Sequence, residues 1–198
     1  MISKITAYFQ AYSLFDFVRK FTYKTILLTR ILNLKLFKKI YYFKSTNFVL
    51  GNNVITDGFS TNVSIGKDTN IYDRCVFVLS NHQAALKIGE RCILSYGVLV
   101  ACNQHISIGN HVMIGEYTSV RDTTHNYDNT NLPMILSGDH SSPVTIGSDV
   151  WIGRGCIILP GTTIENGTVI GANCVVRGHL EGNAVYAGNP IKKIKNRT

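Results

Sequence analysis

From residue 65 onward an apolar residue recurs every six positions, often with a glycine directly after it. The first set is Ile65-Gly66, Ile71 and Phe77, the second Ile88-Gly89, Leu94 and Val100, and the third Ile108-Gly109, Ile114-Gly115 and Val120. Ile146-Gly147, Ile152-Gly153 and Ile158 follow, then Ile164, Ile170-Gly171 and Val176, while Leu50-Gly51 to Val54 reads as an opening fragment. Hairpins of short antiparallel strands impose no such period. Three six-residue units instead close one triangular coil of about 18 residues, with apolar side chains inward and coils stacked at about 4.8 Å. A single coil cannot bury its apolar face, so the array must stack to be stable. The glycines suit turns with positive φ or close backbone approach. The pattern predicts an all-β fold, a parallel β-helix of hexapeptide repeats.

Cysteine usage follows the same register. Cys75, Cys92, Cys156 and Cys174 each lie four positions after a repeat residue, the slot for a small inward-facing side chain. They read as packing thiols. Cys102 lies off that slot. An odd count without a CxxC pair points to neither disulfides nor a zinc knuckle.

The repeat breaks in three places. Ile65 and Ile88 are separated by 23 residues, which puts about five extra near Asn81–Ala85. The next interval, to Ile108, is 20, and the one after that, to Ile146, is 38. The longest break predicts a protruding polar loop over 126–145, and long loops on a compact scaffold carry function more often than decoration. His125 stands at its root, five positions after Val120. Trp151 stands five after Ile146, which places it one layer from His125 on a simple coil count. His82 and His105 occupy the same slot on other coils, so the three histidines are candidates for a stacked ladder.

Charge divides the chain. Residues 1–45 hold nine Lys or Arg against Asp16 alone, and so carry all of the net charge of +8. A basic arm over 1–45 and a neutral body over 46–198 are therefore expected. The arm reads as helical, with Leu14, Phe17, Val18 and Phe21 on one stripe. Two roles are open to it: a cap over the exposed edge of the β-helix, or an interfacial helix on an anionic membrane surface. The apolar run 25–32 is cut by Arg30 and falls short of a span. No secretory signal is evident, so a cytoplasmic location is expected, with peripheral contact at the inner face of the membrane. No nucleic-acid recognition motif is present.

The run from Ile65 to Lys195 resembles the hexapeptide-repeat acyltransferases, and within them the bacterial sugar and polysaccharide O-acetyltransferases. Asp122-Thr123-Thr124-His125-Asn126, Val150-Trp151-Ile152-Gly153 and Ile158-Leu159-Pro160-Gly161 carry the resemblance, with Val169-Ile170-Gly171-Ala172-Asn173 and Ala187-Gly188-Asn189-Pro190-Ile191-Lys192-Lys193-Ile194. It implies a left-handed coil, a homotrimer, and acetyl-CoA as co-substrate in a cleft between two subunits. His125 matches the family's catalytic base. Trp151 matches an aromatic at the pantetheine tunnel or reacting site, and Ala172 a position whose backbone meets the pantetheine arm. The galactoside enzymes carry a sugar-contacting Asn where this chain offers Gly97, which points away from a simple galactoside acceptor.

Acetyl transfer from a thioester to a sugar hydroxyl needs a base for the hydroxyl proton, and a neutral imidazole serves. His125 is the candidate base, with Trp151 beside it, and His105, Asn126 and Tyr127 are candidates for acceptor contact. Backbone N–H groups near Gly153 and Arg154 are candidate oxyanion donors. Arg177, Lys192, Lys193 and Lys195 are candidates for the CoA phosphates. Asp122 and Glu116 are the nearby carboxylates, but the group orienting His125 is open. No metal is expected. The leading expectation is O-acetylation of a bacterial surface polysaccharide or its sugar precursor. Amino-sugar N-acetylation is the alternative, and a metal-dependent hydratase of the γ-carbonic-anhydrase type rests on the histidine ladder alone.

Overall fold

The chain divides into two compact units, Met1–Lys39 and Ile40–Thr198. The computed structural model describes Thr25, residues 49–51, 54–58 and 62–198. The expected helical arm over 1–45, apart from Thr25, lies outside the described residues.

The second unit is a parallel β-helix with three flat faces. Its first face stacks strands at Val49–Leu50, Asn70–Ile71, Ile93–Leu94, Met113–Ile114, Trp151–Ile152, Val169–Ile170 and Ala184–Ala187. The second face stacks Ile55–Gly58, Val76–Leu79, Leu99–Cys102, Ser119–Arg121, Ile157–Ile158 and Val175–Val176. The third stacks Asn62–Ile65, Ala85–Ile88, His105–Ile108, Val144–Ile146, Thr163–Ile164 and His179–Leu180. Within the five repeat sets each rung pairs a repeat residue with the repeat residue one coil on, as in Ile114↔Ile152 and Val120↔Ile158.

The six-residue period builds this shape because alternate strand positions point inward. The fifteen repeat residues from Ile65 to Val176 are buried, none more than 5 % exposed. Each such side chain contributes about 1.5–3 kcal/mol on leaving water. Away from the interrupted corner the slot four residues later is buried as well, and threonines share it with the cysteines. Thr69 Oγ1 donates to the Gly89 carbonyl at 2.8 Å and Thr118 Oγ1 to Gly153 at 3.0 Å, so each hydroxyl is satisfied by the next coil. Cys75 and Cys92 make the equivalent contact at 3.1 Å. Burial pushes the Cys75 thiol up to about 11, in keeping with a packing role.

The glycines after the repeat residues answer to space. A Cβ on Gly109 would stand 2.6 Å from the backbone carbon of Gly147, because the coils touch there. Positive φ falls instead on turn residues such as Arg74, Tyr117 and Gly97. At the terminus, Lys192–Asn196 runs antiparallel to Ala184–Ala187 and covers the edge of the first face.

Candidate active site

All three breaks in the repeat fall at one corner, between the second and third faces. They are the turn after Val76–Leu79, the short link between Leu99–Cys102 and His105–Ile108, and the long excursion between Ser119–Arg121 and Val144–Ile146. Stacked there, they support one another. Asn81 Nδ2 donates to the carbonyl and to Oδ1 of Asn103, both at 2.8 Å. Asn103 Nδ2 donates to Ser141 Oγ at 2.7 Å, and Ser141 Oγ pairs with Thr123 Oγ1 at 2.8 Å.

Asp122 is fully buried beneath this ladder. Its carboxylate accepts the backbone N–H groups of Asn103, Gln104 and His105 at 2.7–2.8 Å. Those bonds hold the corner and leave Asp122 unavailable to His125. They also account for Cys102, whose Sγ is 3.7 Å from Asp122 Oδ2. Burial and the neighbouring carboxylate push that thiol up to about 12.

From this root the excursion leaves the prism as an antiparallel hairpin, Thr123–His125 against Asp139–Ser141. Residues 126–138 form its tip. Asn126 closes the tip, its N–H donating to Gly138 O and its Nδ2 to Ser137 O, each at 2.9 Å. Across the hairpin His125 faces Asp139, and Nδ1 lies 2.6 Å from Asp139 Oδ1. A carboxylate only accepts, so Nδ1 carries the hydrogen, and in the neutral imidazole Nε2 presents its lone pair. Asp139 is thus the orienting group that the sequence left open. No periodicity marks it, because the hairpin register rather than the coil brings it to His125. His140, the other histidine on the hairpin, has Ser142 Oγ at 3.3 Å and, among the described residues, no carboxylate partner.

A cavity of about 680 Å³ lies between the hairpin and the outer surface of the second face. Of the candidates, His125, Asn126, Tyr127 and Arg177 line it, together with Asp139 and Arg121, which sequence reasoning missed. The remaining candidates lie elsewhere. His105 holds its place in a third-face strand opposite Ala85 and does not line the cavity. Trp151 is on the first face between Met113 and Val169, half exposed, and is not one layer from His125 within the chain. Its count from Ile146 starts on the third face, whereas that of His125 starts on the second, so equal counts reach different edges.

Gly153 and Arg154 lie in the turn that follows the first face, and Ala172 lies in the same turn one coil on. Gly153 is required there because its Cβ would come 2.6 Å from Ala172 N. Its own N–H donates to Ile170 O at 2.8 Å, so it is not a free oxyanion donor. Arg154 pairs with Glu116 at 3.5 Å. Lys192, Lys193 and Lys195 lie on the closing strand, where Lys193 contacts Glu181 at 2.9 Å, a carboxylate that raises its pKa. Gly97 occupies the corner between the first and second faces, away from the cavity.

The histidine ladder does not form. His82 lies in the turn, His105 opposes Ala85 and His125 opposes Asp139, because the insertions at the corner differ in length. Among the described residues no group of three or more His, Cys, Asp or Glu could hold a metal ion. Among those residues, too, no helix is long and apolar enough to cross a membrane.

Known proteins share this architecture. Residues 143–178 match the family described as bacterial transferase hexapeptide, six repeats. A chloramphenicol acetyltransferase of Agrobacterium fabrum is 30 % identical over 161 residues, covering 78 % of this chain and 69 % of that protein. The chain belongs to the hexapeptide-repeat transferase family. A further relative, the Mycobacterium tuberculosis protein named "Probable acetyltransferase Rv3034c", is 33 % identical over 68 % of this chain and 44 % of its own length. The chain spans about half the length of several curated relatives it matches. A solved galactoside acetyltransferase in complex with coenzyme A superposes with TM-score 0.53 at 26 % identity, over 76 % of this chain and 65 % of that one.

Proposed function

We propose that this protein moves an acetyl group from acetyl-CoA to a hydroxyl of a bacterial surface polysaccharide or its sugar precursor, with His125 as the general base. The His125–Asp139 pair at the mouth of the cavity carries the reading. With Nδ1–H held by Asp139, Nε2 takes the proton of the acceptor hydroxyl as its oxygen attacks the thioester carbonyl. The C–O bond forms, the C–S bond breaks, and the proton passes on to the departing thiolate of CoA.

The donor side follows from family membership and from the galactoside acetyltransferase whose structure holds coenzyme A. Within one chain the hairpin cavity and the Trp151 face are apart, so the reading joins them across a homotrimer. In it, His125 of one subunit meets Trp151 and Ala172 of the next. The outer surface of the first face suits burial there. Met113 and Trp151 stand side by side on adjacent rungs and are 45 % and 52 % exposed in the single chain. Arg177, Lys192 and Lys195 are the cations proposed for the CoA phosphates, and Lys193 joins them only on leaving Glu181.

Radiolabelled acetyl-CoA offered with a panel of bacterial glycans tests the reading. Label incorporated as an ester, and released by mild alkali, is the expected result. Label that survives mild alkali is an amide and would move the protein to the amino-sugar acyltransferases. No incorporation into any carbohydrate would reject the reading.

A further inference from the structure

The floor of the His125 cavity carries two arginines in one column. Val120, Ile158 and Val176 are paired rung to rung on the second face. Arg121, Leu159 and Arg177 each follow one of them and so occupy equivalent outward positions on successive coils. With coils about 4.8 Å apart, the two arginine backbones are separated by about 10 Å across Leu159.

These two side chains, like Arg74, differ from the other three arginines of the body. Arg91, Arg154 and Arg197 each have a carboxylate within 4.0 Å, at Asp68, Glu116 and Asp149. Among the described residues neither Arg121 nor Arg177 has one. Arg121 is steadied from below, Nε and Nη2 each 3.3 Å from Ser119 Oγ, a neutral acceptor that leaves its charge uncompensated. Two carboxylates share the cavity. Asp139 is committed to His125, and Asp128 is on the exposed loop beyond Tyr127, with neither arginine within ion-pair reach.

We propose that Arg121 recognises an oxyanion on the acceptor, so that the acceptor is an acidic sugar bearing a carboxylate or a phosphate. The proposal rests on the acetyltransferase reading given above. A guanidinium presents a planar fork that matches a carboxylate or phosphate through two hydrogen bonds. Arg121 leaves the same strand that leads, through Asp122, into the His125 hairpin. An acid group held on Arg121 therefore fixes which hydroxyl of the same or the neighbouring sugar meets Nε2. Arg177, two coils further on, is left for the donor.

Three matched acceptor pairs test this with the full chain: a galacturonate oligosaccharide against its galactose counterpart, a sugar 1-phosphate against the free sugar, and a nucleotide-diphosphate sugar against its methyl glycoside. Wild-type protein is expected to favour the acidic member of at least one pair by about 10-fold or more in kcat/KM. The favoured pair tells carboxylate from phosphate. Arg121→Gln is expected to lower that preference by about 10- to 100-fold, chiefly through KM, with Arg121→Lys in between. Thermal melting checks that each variant is folded. Equal use of acidic and neutral acceptors by the wild type overturns the proposal, as does loss of CoA binding in Arg121→Gln, which would assign the residue to the donor. If no sugar is acetylated the acetyltransferase reading itself fails, and calorimetry of the same acidic sugars judges Arg121 alone: no binding, or binding unaltered by Arg121→Gln, overturns it.

Discussion

His125 and Asp139 meet across a two-stranded hairpin, Nδ1 to Oδ1 at 2.6 Å, fourteen residues apart in the chain. The contact fixes the imidazole tautomer and points Nε2 away from the carboxylate. Asp139→Asn leaves the shape intact but offers an amide that donates as readily as it accepts. The imidazole then spends part of its time in the wrong tautomer. A fall in kcat of about 10²-fold is expected, with KM for the acceptor and affinity for CoA little changed. A folding defect would also lower the apparent kcat without altering KM, so thermal melting and the stoichiometry of CoA binding separate the two.

Asp122 has a different task. Its buried carboxylate holds three backbone N–H groups at a part-buried corner. Asp122→Ala is expected to destabilise the body by about 3 kcal/mol or more. It should also loosen the hairpin root, where Asn103 reaches Ser141. Denaturant unfolding measures the first effect. Faster amide exchange at Thr123–His125 than at Ile152 would show the second.

Glu165 supplies a pH signature. The Gly182 N–H and His179 Nε2 at 2.8 Å hold its carboxyl below the usual value of 4.5. A carboxyl whose folded pKa is depressed stabilises the protein above the unfolded value and loses that contribution as pH falls through the folded one. Wild type should therefore melt above Glu165→Gln at pH 7. The gap should shrink as pH is lowered below 4.5. Melting curves of both proteins from pH 7 to pH 3 check this.

The fold was legible because its cause is local. A six-residue period writes the inward face into the sequence, and Ile65 to Val176 are buried as that period requires. Cys75 and Cys92 follow for the same reason, since their slot is set by the same turn. Counting failed where the coil is interrupted. His125 leaves the prism at Asp122, so no count along the helix reaches Asp139, whereas Trp151 was misplaced because its count starts from a different face. Asp122 was visible as a candidate, but its burial under the corner depends on three insertions stacking, which no single repeat reveals. Arg121 carried a signal that could be read: an arginine in the outward position directly after a repeat residue, on the coil that bears the longest insertion.

Replacing His125 tests the central claim most directly. In His125→Ala, acetyl transfer to the acceptor is expected to fall by about 10²- to 10⁴-fold while CoA still binds with wild-type affinity. A folded His125→Ala protein that transfers acetyl at the wild-type rate would contradict the account.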